Sequence, residues 1–220
     1  MSPTPDEALF AVMKKELFSA ILGDVLDQMG FRSKFLPAAV RPMRPDMVLA
    51  GRAMPVVHAT GVPRDGSRFG KMLEALDSMR SGEVYVVDGA GAPYALWGEL
   101  MSTRAQKLGA AGAVMNGFHR DSNGILALNF PTFSHGGYAQ DVNGRGYVAD
   151  FRAPIRIAGV EVIPGDVIFG DLDGVLVIPA AVAEAVAEQA LEKVRGEHQV
   201  RRAFAEGMSA VEAFERYQVM

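Results

Sequence analysis

Arg120 and Asp121 stand next to each other directly after the apolar segment GAVMNGFH, which is predicted to form a buried strand. Loops at the carboxyl ends of parallel strands are the usual place for ligand sites. There an arginine can bind a carboxylate or carbonyl oxygen, and an aspartate can hold a hard cation. The structural alternative is a solvated ion pair that closes a loop. The dipeptide alone favours that alternative, because such surface pairs are common.

A second group of candidate residues, Gly98, Glu99, Leu100 and Met101, stands at the start of a predicted helix. The first N–H groups of a helix have no intrahelical acceptor, and the helix dipole adds positive charge there, so this position attracts carboxylates. A glycine at position 98 would let an anion approach the backbone closely. The structural alternative is an ordinary helix start at which the dipole favours Glu99.

Glu197, within the segment RGEHQVRRAFAEGMS, is a third acidic candidate, although by itself it is typical of a solvated helical carboxylate. The four histidines do not have the spacing of a zinc site, and His119 could touch the same site as Arg120 without being required there. The sequence contains no Ser-His-Asp elbow, phosphate-binding loop or dinucleotide fingerprint. The candidate chemistry therefore belongs to the acidic and guanidinium groups.

Helical spacing of apolar residues predicts the helices that would position these groups. Helices are predicted over residues 6–30, 66–80 and 98–108, followed by a long helix over 180–206 and a short final helix. The first of these could be two short helices that meet near Gly23. Gly98 to Met101 therefore lie at the start of a predicted helix, Arg120 and Asp121 follow a predicted strand, and Glu197 lies within the long helix.

The strongest strand signal is GEVYVVDGAG, which is apolar on both faces, as in a buried sheet. A helix separates it from GAVMNGF, and this order predicts a right-handed parallel crossover. Further strands are predicted for AMPVVHATG, for IRIAGVEV as a hairpin, and for DVIFGD and GVLVIP around a tight turn. The fold class is therefore α/β. We expect one domain over residues 1–220, with a core at about 18–180 and C-terminal helices at 181–220.

The composition excludes several classes of function. The net charge is −4 and no run of basic residues is present, so a nucleic-acid partner is not expected. The absence of cysteine excludes disulfides, thiolate catalysis and cysteine-ligated zinc. No run of about 18 apolar residues occurs, and the N-terminal segment lacks the apolar core of a signal peptide. We therefore expect a cytoplasmic protein without a membrane span.

Taken together, these segments resemble the RraA-like family, which includes the regulator of ribonuclease E activity A and the 4-hydroxy-4-methyl-2-oxoglutarate / 4-carboxy-4-hydroxy-2-oxoadipate aldolases. The resemblance covers roughly residues 18–210. It rests on GDVLDQMG, GEVYVVDGAGAPYALWGELMSTRAQKLGAAGAVMNGFHRD, NFPTF, GVEVIPGDVIFGDLDGVLVIP and EHQVRRAFAEG. It implies a swivelling β/β/α-type fold with a central β core, flanking helices and helical extensions.

The family's aldolases carry an acidic residue, twenty intervening positions and then Arg-Asp, a spacing that Glu99, Arg120 and Asp121 reproduce. By resemblance, Asp121 would ligate Mg²⁺ or Mn²⁺, and Arg120 would contact the keto or alkoxide oxygen of the substrate. The backbone N–H groups of Gly98 to Met101 would hold the pyruvyl carboxylate. Glu99 would hold a metal-bound water.

The resemblance also implies an oligomer. Glu197 matches a family glutamate that a neighbouring subunit supplies, so a homotrimer or homohexamer with an active site between subunits is expected. Two positions depart from the aldolase pattern: the aldolases usually have aspartate where this chain has Glu99, and they have an acidic residue where it has Gly124.

The implied activity is that of a class II pyruvate aldolase, which cleaves a 4-hydroxy-2-keto acid of the 4-hydroxy-4-methyl-2-oxoglutarate or 4-carboxy-4-hydroxy-2-oxoadipate type. Oxaloacetate decarboxylation passes through the same enolate and is expected as a second activity. One alternative is a non-enzymatic regulator that binds ribonuclease E. Another is a lyase or hydrolase for a different metal-chelating keto or hydroxy acid. The retention of Glu99, Arg120 and Asp121 favours an enzyme.

Overall fold

The computed structural model describes residues 4–218. The α-helices are α1 (Pro5–Glu16), α2 (Ser19–Gln28), α3 (Met72–Asp77), α4 (Glu99–Lys107), α5 (Ser122–Leu128), α6 (Ala183–Ala205) and α7 (Ala210–Tyr217), with a short 3-10 helix at Ala180–Val182. The strands are β1 (Arg41–Pro42), β2 (Leu49–Thr60), β3 (Glu83–Asp88), β4 (Ala95–Trp97), β5 (Gly112–Asn116), β6 (Phe118–His119), β7 (Thr132–Ser134), β8 (Gly146–Phe151), β9 (Ile155–Ile157), β10 (Val160–Val162), β11 (Val167–Asp171) and β12 (Gly174–Ile178). Within the described residues, no helix is both long enough and apolar enough to cross a membrane.

The main sheet has the strand order β1-β7-β5-β3-β2-β11-β12, and β8 pairs with the far end of β2. Neighbours among β2, β3, β5 and β7 pair in parallel, whereas β1, β8, β11 and β12 pair antiparallel with their neighbours. The two end strands approach each other, because the Arg41 guanidinium of β1 donates to the carbonyls of Leu172 and Asp173 in the β11–β12 turn. The sheet is therefore nearly closed, and the predicted α/β class is confirmed.

Side chains that alternate along the strands fill the two faces of this sheet. In β3, Val84 and Val86 point to one face, Tyr85 and Val87 point to the other, and all four are buried. The Tyr85 face packs against α3, α4 and α5, and the Val84 face packs against the β9–β10 hairpin. A third cluster joins β11 and β12 to α1, α2 and α6. The prediction that this strand is apolar on both faces is confirmed.

The N-terminal helical segment consists of two helices, but their break lies at Leu17 and Phe18. Both residues have extended backbone, and α2 begins at Ser19, whose N–H and hydroxyl each donate to the Asp171 carboxylate at 2.7 Å. A side chain from β11 thus supplies the N-terminal cap that the local sequence lacks. The prediction of a break near Gly23 is wrong, because Gly23 is buried inside α2.

Other predicted elements are present with changed bounds. The helix predicted over 66–80 is limited to α3, because Phe69 and Lys71 form backbone hydrogen bonds with Val148 of β8. Neither α5 nor β8 was predicted, since both are short, contain a glycine and show no clear periodicity. The β9–β10 hairpin, the β11–β12 turn and the two C-terminal helices confirm the predictions for those segments.

The connection between β3 and β5 positions the candidate site. These two strands are parallel, as the strand–helix–strand pattern predicts, and α4 lies between them in the chain. The same connection contains β4, which pairs in parallel with β6 to form a small second sheet. Because β4 leads directly into α4 and β6 leads directly into α5, the beginnings of these two helices lie side by side.

Candidate active site

The small sheet of β4 and β6 brings the Gly98 and Arg120 segments together. Trp97 is in register with His119, and the Arg120 N–H donates to the Trp97 carbonyl at 2.9 Å. The next residues along the two strands are Gly98 and Arg120-Asp121, so both segments leave the sheet at the same edge. Groups that are twenty intervening positions apart in the sequence are therefore neighbours in space.

The Asp121 carboxylate lies against the amino end of α4. Its Oδ2 accepts a hydrogen bond from the Glu99 N–H at 3.3 Å. Position 98 accommodates this approach as glycine, because a Cβ there would lie 2.7 Å from Asp121 Oδ2. The N–H groups of Leu100 and Met101 belong to the same first turn, where helix N–H groups lack intrahelical acceptors. The site thus combines a carboxylate that is 45% exposed with the positive end of a helix dipole.

The backbone of Asp121 is held in an uncommon conformation. Its φ of 58° and ψ of 39° are left-handed, which is unfavourable for a residue other than glycine. The buried His119 ring stabilises the surroundings, because its Nε2 lies 2.9 Å from Ser122 Oγ and its Nδ1 lies 2.7 Å from Ser134 Oγ. These two contacts span the Arg120-Asp121 dipeptide and tie it to β7. His119 therefore helps to hold the Arg120-Asp121 backbone in place without lining the cleft.

Arg120 lies between two carboxylates. Its Nε is 3.6 Å from Asp121 Oδ2, and its Nη1 is 3.5 Å from Asp141 Oδ1. Asp141 reaches this position because its segment pairs with β4: Ala95 donates to the Gln140 carbonyl at 2.8 Å. The guanidinium is oriented from both sides while the Arg120 side chain stays 38% exposed. Sequence reasoning missed Asp141, because it lies in an aperiodic loop.

A cleft of about 250 Å³ opens beside these charges. Its lining combines three charged side chains with many apolar ones, contributed by α3 and the loop before it, β4, α4, the β6–α5 connection and the loop before β8. The lining residues are Phe69, Met72, Leu73, Leu76, Ala95, Leu96, Trp97, Gly98, Leu100, Met101, Arg120, Asp121, Asp141 and Val142. A concave, mostly apolar cleft with a few converging polar groups is the usual form of a small-molecule site.

The structure links the two departures from the aldolase pattern. The Glu99 side chain runs over Gly124 in α5, so that a Cβ at position 124 would overlap Glu99 Cγ and lie 3.0 Å from its Cβ and Cδ. The longer acidic residue at position 99 thus occupies space that a side chain at position 124 would need. The two departures are therefore sterically coupled: the Glu99 side chain and a side chain at position 124 would compete for the same space.

Glu197 does not lie in this cleft within one chain. It lines a separate surface depression between α6 and the end of α1, together with Lys15, Glu16, Phe18, Val194, His198 and Arg201. A contribution of Glu197 to the site therefore requires a second subunit, as the resemblance implies. That contribution stays a prediction.

The candidate site offers few protein ligands to a divalent ion. Across residues 4–218, no group of three or more histidine, aspartate or glutamate side chains is arranged as a metal site. Magnesium, however, is often held by one or two protein carboxylates, while water and substrate oxygens complete its coordination. Asp121 fits this role, because its hard carboxylate is half exposed at the cleft and the missing Cβ of Gly98 leaves room next to it.

Comparison with known proteins identifies the family of this chain. A family model described as RraA-like, Aldolase/RraA, matches residues 19–177. The chain belongs to this family, and the resemblance predicted from the sequence is confirmed.

Individual relatives carry different names. The chain is 32% identical over 180 residues to a Halalkalibacterium halodurans protein named "Putative 4-hydroxy-4-methyl-2-oxoglutarate aldolase", with 81% of this chain and 82% of the relative covered. It is 31% identical over 202 residues to Protein DlpA of Legionella pneumophila; that match covers 90% of this chain, which spans about a third (32%) of the relative's length. The fold is shared with Streptomyces coelicolor RraAS2, described as an unusual member of the RNase ES inhibitor RraA protein family. There the TM-score is 0.80, with 23% identity and coverage of 90% and 99% of the two chains.

Proposed function

We propose that this chain is a divalent-metal-dependent aldolase that cleaves a 4-hydroxy-2-keto acid and releases pyruvate. The observation that carries the proposal is the position of Arg120 and Asp121 against the amino end of α4, at the mouth of an apolar cleft. A guanidinium, a hard carboxylate and unpaired helix N–H groups converge there. The aldolase name of the Halalkalibacterium halodurans relative supports the same class of reaction.

The reaction breaks the C3–C4 bond of the substrate. The C4 hydroxyl loses a proton and becomes a carbonyl, and the bonding electrons move to C3 and the keto oxygen as the enolate of pyruvate. Protonation at C3 then completes pyruvate. Negative charge grows on the keto oxygen in the transition state and raises the activation free energy. The catalyst must therefore place fixed positive charge next to that atom.

The residues of the cleft match these needs. Arg120, oriented by Asp121 and Asp141, binds the keto oxygen where negative charge develops. The N–H groups of Leu100 and Met101 bind the pyruvyl carboxylate at the positive end of α4. Asp121 would hold Mg²⁺ or Mn²⁺, and the bound ion would supply Lewis-acid stabilisation of the enolate.

Glu99 is the candidate group for proton transfer. Its backbone N–H donates to Asp121, and its side chain lies over Gly124, next to the residues that line the cleft and not among them. From that position we expect its carboxylate to accept the C4 hydroxyl proton through a bound water and to return a proton to C3 by the same route. Oxaloacetate decarboxylation yields the same enolate without needing the first proton transfer. We therefore expect the site to catalyse both reactions.

The proposal is tested by pyruvate release from 4-hydroxy-2-keto acids and from oxaloacetate, assayed with Mg²⁺, with EDTA, and with Mg²⁺ restored in excess. EDTA should abolish turnover and Mg²⁺ should recover it. Asp121→Ala should lower the rate by about 10²–10³-fold, the usual cost of removing one charge-stabilising group. The matched control is Asp27→Ala, an exposed helical aspartate remote from the cleft. Turnover that survives EDTA, or a fully active Asp121→Ala, would refute the metal-dependent mechanism.

We further propose that Glu197 enters the cleft of a neighbouring subunit in a homotrimer or homohexamer. Within one chain Glu197 and Asp121 line different depressions, so each variant should inactivate a different part of a shared site. Mixing Asp121→Ala with Glu197→Ala subunits, after exchange has been verified with differently tagged chains, should restore part of the activity. Exchanged subunits that stay inactive would contradict a shared site.

A further inference from the structure

The loop between β7 and β8 holds the Asp141 carboxylate at the cleft. Gly137 forms a parallel bridge with His119 of β6, and Asp141 forms one with Ala95 of β4, so the loop lies along both edges of the small sheet. The Tyr138 N–H adds a hydrogen bond to the His119 carbonyl at 2.7 Å. These backbone contacts give the Asp141 side chain a fixed position in the lining of the cleft.

Asp141 and Asp121 contact different nitrogen atoms of the Arg120 guanidinium. Asp141 Oδ1 lies 3.5 Å from Nη1, and Asp121 Oδ2 lies 3.6 Å from Nε. Both distances are longer than those of charge-assisted hydrogen bonds, which are usually about 2.7–2.9 Å. The guanidinium is therefore shared between two carboxylates and is not locked to either one.

A divalent ion on Asp121 would change this sharing. The ion would use the carboxylate charge that now attracts Arg120, and it would repel the guanidinium because both are cations. Arg120 must nevertheless stay beside the ion, since both positive charges stabilise the enolate in the proposed reaction. The site therefore needs a second carboxylate that binds the guanidinium at another of its nitrogen atoms, and Asp141 occupies that place.

We propose that Asp141 is a positioning residue that holds Arg120 away from Asp121 and so makes Asp121 available to the divalent ion. This role rests on the proposed function and adds to it, because it assigns Asp141 a part in metal affinity. Without the Asp141 carboxylate, Arg120 would pair with Asp121 alone and would compete with the ion for that group. Removal of the Asp141 charge should therefore weaken metal binding through Arg120.

Metal affinity can be measured without turnover by titrating the EDTA-treated and dialysed protein with Mn²⁺ and following the electron paramagnetic resonance signal of the unbound ion. Wild type, Asp141→Asn, Arg120→Gln and the double variant form a double-mutant cycle. Asp141→Asn keeps the shape of the side chain and the backbone contacts of the loop, so it is compatible with folding. We expect it to raise the Kd for Mn²⁺ about tenfold in the wild-type background. With Arg120→Gln, where no guanidinium competes for Asp121, it should raise the Kd about twofold or less.

The cycle distinguishes this role from a direct attraction between Asp141 and the ion. A direct attraction acts whether or not Arg120 is present, so it predicts the same loss of Mn²⁺ affinity in both backgrounds. Equal losses, or an unchanged affinity in Asp141→Asn, overturn the inference. A carboxylate that a neighbouring subunit supplies is present in all four proteins, so its own effect cancels when they are compared in the same oligomeric state.

The matched control is Asp77→Asn, which removes the carboxylate of another arginine–aspartate pair. Asp77 lies 2.8 Å from Arg104, and neither residue lines the cleft. The Mn²⁺ affinity of this variant should stay within about twofold of the wild type, because exposed pairs outside the site act weakly on it. Asp141→Glu keeps the charge and should recover most of the affinity that Asp141→Asn loses. A control that loses affinity as strongly as Asp141→Asn, or an Asp141→Glu that recovers none, overturns the inference.

Mn²⁺ binding to the wild type separates this inference from the proposed function. It is measured with and without pyruvate, alongside the cleavage assay. Binding and cleavage without coupling between Asp141 and Arg120 overturn the role of Asp141 and leave the aldolase intact. Binding and cleavage with the expected coupling support both proposals. A wild type that binds no Mn²⁺ in either condition overturns the metal-dependent function, and the role of Asp141 with it.

Discussion

Asp121 lies between β6 and α5, and Asp171 is the last residue of β11 before the turn to β12, yet their carboxylates are used differently. Asp171 accepts hydrogen bonds from the Ser19 N–H and hydroxyl at 2.7 Å each and from the Asp173 N–H at 3.0 Å. Among the described residues, the Asp121 carboxylate accepts one hydrogen bond, from the Glu99 N–H at 3.3 Å, and has Arg120 Nε at 3.6 Å.

The difference separates a structural carboxylate from one that is available for binding. The contacts of Asp171 are short and join α2 to β11, so its charge is satisfied inside the protein. The contacts of Asp121 are long, and its backbone is held in an unfavourable conformation that the hydrogen bonds of His119 support. Carboxylates with unused acceptor capacity and a strained backbone are typical of functional sites.

The largest expected effect is that substituting Asp121 changes the activity, whereas substituting Asp171 changes the stability. Asp121→Asn should lower the rate of pyruvate release by about 10²–10³-fold while changing the free energy of unfolding little, since one long hydrogen bond is involved. Asp171→Asn should leave the activity per folded molecule unchanged but lower the free energy of unfolding by about 1–3 kcal/mol. The rates and urea unfolding curves of both variants test this separation. Equal stability losses would remove the distinction.

A smaller effect is expected at Gly124, because the Glu99 side chain fills the space that a side chain at position 124 would need. Gly124→Ala should favour the helical backbone of α5 by up to about 1 kcal/mol, yet it displaces the Glu99 side chain. We therefore expect a several-fold lower rate of cleavage without a loss of stability. Adding Glu99→Asp, which shortens the side chain, should recover part of the rate in the double variant. A double variant that is slower than Gly124→Ala would refute the steric coupling.

The smallest expected effect is the pH dependence that arises from His119. Burial lowers the pKa of this imidazole below its ordinary value of 6.5, so the folded protein favours the neutral ring. Its contribution to stability is therefore complete above pH 6.5 and is lost as the pH falls through the lowered value. His119→Asn should flatten the fall in unfolding free energy between about pH 7 and pH 5.

The matched control for this measurement is His198→Asn, at an exposed position of α6. Burial also lowers the pKa of His58, so part of the acid sensitivity should persist in His119→Asn. An identical slope in the wild type and in His119→Asn would show that the buried ring of His119 does not contribute.

Much of the fold follows from local patterns. The apolar run of β3, the Gly159 turn of the β9–β10 hairpin and the amphipathic α6 were all predicted, because their periodicity depends on nearest neighbours in the chain. The break between α1 and α2 was misplaced, because Asp171, a distant residue, caps α2. The predicted bounds of α3 were too wide, because the backbone of Phe69 and Lys71 forms hydrogen bonds with Val148 of β8. Errors thus occur where a partner remote in sequence decides the local conformation.

The amino-acid sequence by itself indicated most strands, most helices, and the candidate residues Gly98, Glu99, Arg120 and Asp121. The tertiary structure alone decided that Asp141 joins Arg120, that Glu99 fills the space above Gly124, and that the rest of the cleft is apolar. The physical reason is that spacing encodes contacts within an element, whereas a cleft is formed by side chains from several elements. Their approach depends on the packing of the whole sheet and its helices.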